Sequence, residues 1–154
     1  MTRKASWMVV EWLHVLATVA LGLYAGSLLT EGALLVPYWR TLSPAEFFGR
    51  HGEFGPRLFR YFFPVTNAAV WLSVASAVLD GFDNVYRTIA ALLCLVALAT
   101  FFLYFKGANA AFAARSLSDE ALAAALARWA IWHWVRTIAS VLAFAAATAA
   151  VVLR

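Results

Sequence analysis

Three observations predict an all-α membrane protein: four antiparallel transmembrane helices in a bundle, with a short amphipathic helix in the first loop. Hydrophobic residues make up 64% of the 154 residues and charged ones only 13%, and mean hydropathy is +0.79. A soluble domain usually carries about 25% charged residues, so the surplus apolar surface needs lipid. The apolar residues also fall into four stretches, each long enough for the ~20 residues that one crossing requires. No internal repeat, low-complexity linker or second domain interrupts them, so residues 1–154 read as one transmembrane unit.

The first stretch runs from Trp7 to Val36, where Pro37 is expected to end it. Met1-Thr2-Arg3-Lys4 is basic, but no small-residue cleavage site follows. That pattern fits a retained helix rather than a signal peptide. At about 30 residues the stretch exceeds the hydrocarbon thickness and should tilt or protrude. Along it Glu11, His14, Thr18, Gly22, Ala25, Leu29 and Gly32 recur at helical intervals, so this stripe should face the bundle. Gly22 and Gly26 would let another helix approach closely.

The loop from Tyr38 to Arg60 should hold the amphipathic helix. Ser43 is its N-cap, Pro44 its first residue, and Glu46 completes a capping box. Phe47 and Phe48 should dip into the interface, and the run from His51 through Gly52 and Gly55 to Pro56 should break the helix. The second stretch covers Tyr61 to Leu79, and Asp80-Gly81-Phe82-Asp83-Asn84 then makes a tight polar turn. The third runs from Tyr86 to about Phe105, with room to continue to Arg115. Ser118, followed by Asp119 and Glu120, is a strong helix start. The last helix then meets no breaker before Val152, and Ala139, Ala143, Ala146 and Ala150 give it a close-packing face.

The single Cys94 leaves no internal disulfide and no multi-cysteine metal site. A net charge of +4 suits anionic headgroups but is too small and scattered for nucleic acid. The expected partners are the lipid bilayer and a small lipid-soluble compound. A homo-oligomer enters if the chain transports anything, since one four-helix bundle is narrow. Basic residues at Arg40, Arg50, Arg57, Arg60, Lys106, Arg115 and Arg128 outnumber Arg3, Lys4, Arg87 and Arg154 on the other side. This asymmetry places the first loop in the cytoplasm and both termini outside.

Connectivity puts the end of the first helix, the start of the second, the end of the third and the start of the fourth at one membrane face. Glu31, the Arg57–Arg60 segment, Asn67, Tyr104, Asn109, Trp129, Trp132, His133 and Arg136 converge there, with His51 in the covering loop. A small-molecule pocket is built this way, apolar with a few placed polar groups. An intramembrane His–Arg pair is costly and marks a functional site. The structural alternative pairs Arg136 with Glu31, bonds His133 to a backbone carbonyl, and makes the tryptophans an interfacial belt.

Glu11, His14 and Thr18 form a second polar cluster. Glu11 and His14 have the spacing of one Glu-x-x-His unit of di-iron bundles, which need two such units. Glu11, His14 and His133 together would suit non-haem iron, and His14 with His133 a haem. Depth opposes both, because the starts of the first and fourth helices lie at opposite faces. No cofactor is therefore expected, with haem or iron as the alternative.

At these residues the chain is similar to the anthrone-oxygenase-like family of small four-helix membrane proteins. The similarity is carried by Gly22-Leu23-Tyr24-Ala25-Gly26, Val36-Pro37-Tyr38-Trp39, Asn109, and the run Arg128-Trp129-Ala130-Ile131-Trp132-His133-Trp134-Val135-Arg136-Thr137. The resemblance implies a protein of the bacterial cytoplasmic membrane and cofactor-independent oxidation of an anthrone-like phenolic to a quinone. In that scheme His133 is the base, Arg136 stabilises the enolate, and Asn67 or Asn109 fixes the carbonyl. Trp129, Trp132 and Tyr104 line apolar walls, and substrate arrives laterally from lipid. The competing reading is a non-enzymatic binding, accessory or transport protein, although no inverted repeat supports transport.

Overall fold

The computed structural model describes residues 3–153, with side chains from residue 7 onward. Met1, Thr2 and Arg154 lie outside the described residues, as do the side chains of Arg3 and Lys4 that enter the charge asymmetry. Helix α1 (Arg3–Thr30) passes through a π-helical turn (Glu31–Leu35) into α2 (Val36–Trp39). Helix α3 (Pro44–Leu79) follows. Helix α4 (Val85–Thr100) passes through a second π turn (Phe101–Phe105) into α5 (Lys106–Ala113), and α6 (Asp119–Val152) ends the fold. These make four spans long and apolar enough to cross a membrane: Trp7–Trp39, Pro44–Leu79, Val85–Ala113 and Asp119–Val152. The chain is an integral membrane helical bundle.

Helix α1 packs on α3 and α6, and α4 packs on the same two, so the first and third spans lie diagonally. Two buried clusters result. Leu21, Tyr24, Leu28, Val70, Cys94 and Ala143 fill the middle of the bundle. Val36, Trp39, Phe47, Phe105, Phe112, Leu126 and Trp129 form an aromatic cap at one end. Trp12, Leu23, Leu92, Leu103 and Ile131 point outward, as lipid contact demands. Where lipid is as apolar as the core, close van der Waals packing holds helices together. The alanine face of α6 supplies it, with Ala139, Ala143 and Ala150 buried. At Gly22 an added Cβ would stand 3.0 Å from the Phe144 ring, while Gly26 faces open space.

Most boundaries follow their local signals. Ser43 donates from its backbone and its hydroxyl to the Glu46 carboxylate. The Asn84 side chain accepts from the Tyr86 and Arg87 amides, and Ser118 Oγ from that of Ala121. The polar turn closes with Gly81 and Phe82 in left-handed backbone and Arg87 paired to Asp80.

Three expectations need correction. The amphipathic helix and the second span are one 36-residue helix, with Pro56 and Pro64 inside it. Pro56 frees the carbonyl four residues back, at Gly52, and both residues are exposed. Burial of Phe47 and His51 on the opposite face, and of Phe48 beside it, holds the helix together. Nor does Pro37 end the first span. In the π turn the Val36 amide bonds Glu31 O, five residues back. Pro37, which has no N–H to donate, then sits in the first turn of α2. The first-helix stripe also bends away from Leu29, which is exposed, toward Leu28, which is fully buried. At about 100° per residue, Leu29 sits roughly 60° from His14 on the lipid side, and Leu28 roughly 40° the other way.

Candidate functional site

His133 and Arg136 stand one turn apart on α6, and α1 with its π turn supplies their partners. His133 is wholly buried. Its Nε2 lies 2.9 Å from Leu28 O and its Nδ1 2.9 Å from Arg136 Nη2. A guanidinium only donates, so Nδ1 accepts and Nε2–H donates to the Leu28 carbonyl. The neighbours thus fix a neutral imidazole in one tautomer. Arg136 Nη2 also donates to Glu31 Oε2 at 3.0 Å, and that oxygen is 3.7 Å from His133 Nδ1.

Aromatic rings complete the setting. The Arg136 guanidinium carbon is 4.1 Å from the Phe105 centroid, with Trp129 at 5.6 Å and Phe62 at 5.9 Å. Cation–π attraction of this kind strengthens when water is excluded. Trp129 stacks on His133 at 5.2 Å, with 11° between ring planes, and donates from Nε1 to Asn109 Oδ1 at 3.0 Å. Each π turn therefore supplies one direct contact of Arg136: Glu31 from the first, Phe105 from the second. Such turns recur at functional sites because they re-aim side chains and backbone. Arg136 Nε is buried with no hydrogen-bond partner among the described residues.

Glu31 also lines the groove beside it. Between the first two spans runs a groove of about 570 Å³, walled by Leu23, Leu34, Leu58 and Phe62 and carrying Ser27, Thr30, Glu31 and Tyr61. Within the fold Glu31 is thus tied to Arg136 on one side and, though largely buried, lines a lipid-facing groove on the other.

Of the residues expected to converge, Glu31, Asn109, Trp129, His133 and Arg136 are brought together. Tyr104 and Trp132 form their own stacked pair, 5.4 Å apart and 9° from parallel. Asn67 spends its polar atoms along α3, donating to Phe63 O and accepting from Trp71 Nε1. No hydrogen bond joins Asn67 to the triad among the described residues. Arg57 pairs with Glu53 on the exposed surface. His51 is buried in the cap against Trp39, Phe47 and Phe112.

The second cluster sits at the other end of the bundle. His14 Nδ1 is 2.7 Å from Ser76 Oγ, and Thr18 Oγ1 donates to His14 O. His14, Thr18, Ser73, Ser76 and Arg87 line a cavity of about 10 Å³, room for one water. Glu11 is half-buried, in a shallow groove with Trp7 and Trp12. His14 and Leu28 are separated by roughly 21 Å of helical rise, so His14 and His133 cannot share one metal or haem. Among the described residues no three His, Cys, Asp or Glu side chains are grouped to hold a metal ion.

Phe105 belongs to the site without having been expected, and Leu28 supplies the backbone carbonyl that the structural alternative assigned to His133. Gly32 explains how tightly it is assembled. An added Cβ there would meet His133 Nε2 at 3.0 Å and Trp134 at 3.3 Å. His133 is held by two hydrogen bonds and a stacked ring, so it has little room to yield. Gly32→Ala is expected to destabilise the protein by about 1–3 kcal/mol, with Gly26→Ala as a sterically silent control. Unfolding curves of the two variants in detergent check this.

A comparison with protein-family models, curated proteins and solved structures finds no match to this chain.

Proposed function

We propose that this membrane protein oxidises a small, lipid-soluble phenolic aromatic without a bound cofactor, taking it from the bilayer through the groove between the first two spans. One observation carries the reading. Glu31 is both the anchored acid of the Arg136–His133 triad and the polar head of that groove. A phenol or enol docked there gives its proton to the Glu31 carboxylate. The electron-rich anion left behind reduces dioxygen directly, and Arg136 and the dry aromatic walls stabilise the charge that moves through it. For an anthrone-type substrate, the ring methylene plus dioxygen becomes a ring carbonyl plus water.

Within this reading the geometry favours Glu31 over His133 as the proton acceptor. Both nitrogens of His133 are engaged inside the protein, which makes it a positioning residue that holds Arg136 against Glu31. The bacterial cytoplasmic membrane is the setting that the sequence resemblance implies.

A non-enzymatic binding protein is the second reading. It is favoured by the Glu31–Arg136 and His133–Leu28 contacts, which are those of a purely structural clamp. The two are separated by oxygen consumption of the protein in lipid nanodiscs, given anthrone-like phenols or their methyl ethers. Consumption with the free phenols alone, above that of empty discs, supports oxidation. Equal rates with and without protein would sink it.

A further inference from the structure

The groove's hydrogen bonding specifies its guest more narrowly than lipid solubility does. Ser27 donates its hydroxyl proton to Leu23 O at 2.6 Å, and Thr30 donates its own to Gly26 O at 2.9 Å. With the Ser27 proton committed, the 2.7 Å contact between Ser27 Oγ and Tyr61 Oη requires the tyrosine to donate. Tyr61 Oη then keeps only lone pairs. Glu31, salt-bridged to Arg136, is an acceptor as well. Backbone amides within a helix are already used. Every polar side chain on the groove wall therefore accepts, and none donates.

These acceptors also have a spacing. Ser27 and Glu31 are four residues apart on one helix wall, so their backbone positions are offset along the axis by about 6 Å, and Tyr61 Oη stands 2.7 Å from Ser27 Oγ. A benzene ring lying along that wall matches such an offset best with hydroxyls at its opposite ends. We infer that the groove selects an aromatic with two para-disposed hydroxyl groups in its reduced form. One hydroxyl donates to Glu31 and the other to the Tyr61–Ser27 pair. The oxidised quinone, which has only acceptors at those positions, would leave both sites facing unpaired lone pairs and is disfavoured.

This inference rests on the Glu31 groove being the binding site, as proposed above. It adds a direction to the chemistry. The diol loses two O–H protons and two electrons to dioxygen, giving the quinone and hydrogen peroxide. The product no longer fits the groove that bound its precursor.

The test is anaerobic binding, so that no turnover intervenes. An alkylated hydroquinone, its monomethyl ether, its dimethyl ether and its quinone are titrated against the protein in nanodiscs, with tryptophan fluorescence as readout. The diol is expected to bind at least tenfold more tightly than the quinone, with the monomethyl ether between them. In the Ser27→Ala/Tyr61→Phe double variant, both of whose sites lie on the groove's outer wall, the diol should bind no better than its monomethyl ether. Equal affinity for diol and quinone would overturn the inference, as would a diol advantage that survives the double variant. If either overturning result appears while monophenols still bind in a Glu31-dependent way, the inference alone has failed. If no aromatic binds at all, the groove reading fails with it.

Discussion

Arg136→Leu is expected to destabilise the protein by roughly 3 kcal/mol, the penalty for leaving a carboxylate unpaired in a membrane-embedded site. Glu31 is 7% exposed, and its one cationic partner among the described residues is the guanidinium 3.0 Å away. Removing Arg136 also strips an acceptor's partner from His133 Nδ1 and takes the cation off Phe105. Paired charges in apolar surroundings add little net stability over well-packed apolar residues, whereas half a pair is costly. Glu31→Leu/Arg136→Leu should therefore recover most of the loss, to within about 1 kcal/mol of the parent, as coupled neighbours do in a double-mutant cycle. Unfolding in mixed detergent and dodecyl sulfate, followed by tryptophan fluorescence, measures all three proteins. Simple additivity of the two single losses would mean that the pair is not coupled.

Glu31→Gln should lower oxygen consumption about 100-fold, the low end of what a positioned proton acceptor contributes. The amide oxygen introduced can still accept from Arg136 Nη2, so the triad keeps its shape. What it loses is the ability to take a proton. His133→Gln makes the contrasting case. Its amide can donate to the Leu28 carbonyl and accept from Arg136, preserving both bonds of the native imidazole. That variant should keep most of its activity. The reverse ranking, with His133→Gln inactive and Glu31→Gln active, would return the proton acceptor to the imidazole.

Most of the fold could be read from composition and end signals. Four apolar stretches need four crossings, and Ser43 and Ser118 start helices as their sequence contexts indicate, while Asn84, read only as the end of a polar turn, caps the third span. The errors arose where tertiary packing overrode a local breaker. Pro56 and Gly52 read as a stop, but the cap residues on the opposite face hold that helix straight through them. The site was legible in its titratable groups. His133, Arg136 and Glu31 share a depth that follows from alternating helix direction alone. The π turns were not legible. Pro37 hints that the amide ladder changes near the first, but nothing in Phe101–Phe105 distinguishes a π turn from an ordinary one. Phe105 was consequently overlooked, although it makes the nearest ring contact to Arg136. Asn67 illustrates the converse: its depth was suitable, but its rotation about α3 sends both polar atoms to Phe63 and Trp71.

The aromatic cap has a consequence for the order in which the protein is made. Its pieces come from Val36 and Trp39, from Phe47 and Phe48, from Phe105 and Phe112, and from Leu122 to Trp129. On a chain synthesised from its N-terminus, the first two spans are in place long before residue 129 leaves the ribosome. Until then Glu31 has no Arg136 to meet. A nascent chain stalled before the fourth span should carry that acid unpaired and loosely held, a state that membrane quality control can recognise. Pairing of the buried acid and insertion of the fourth span are thereby one event.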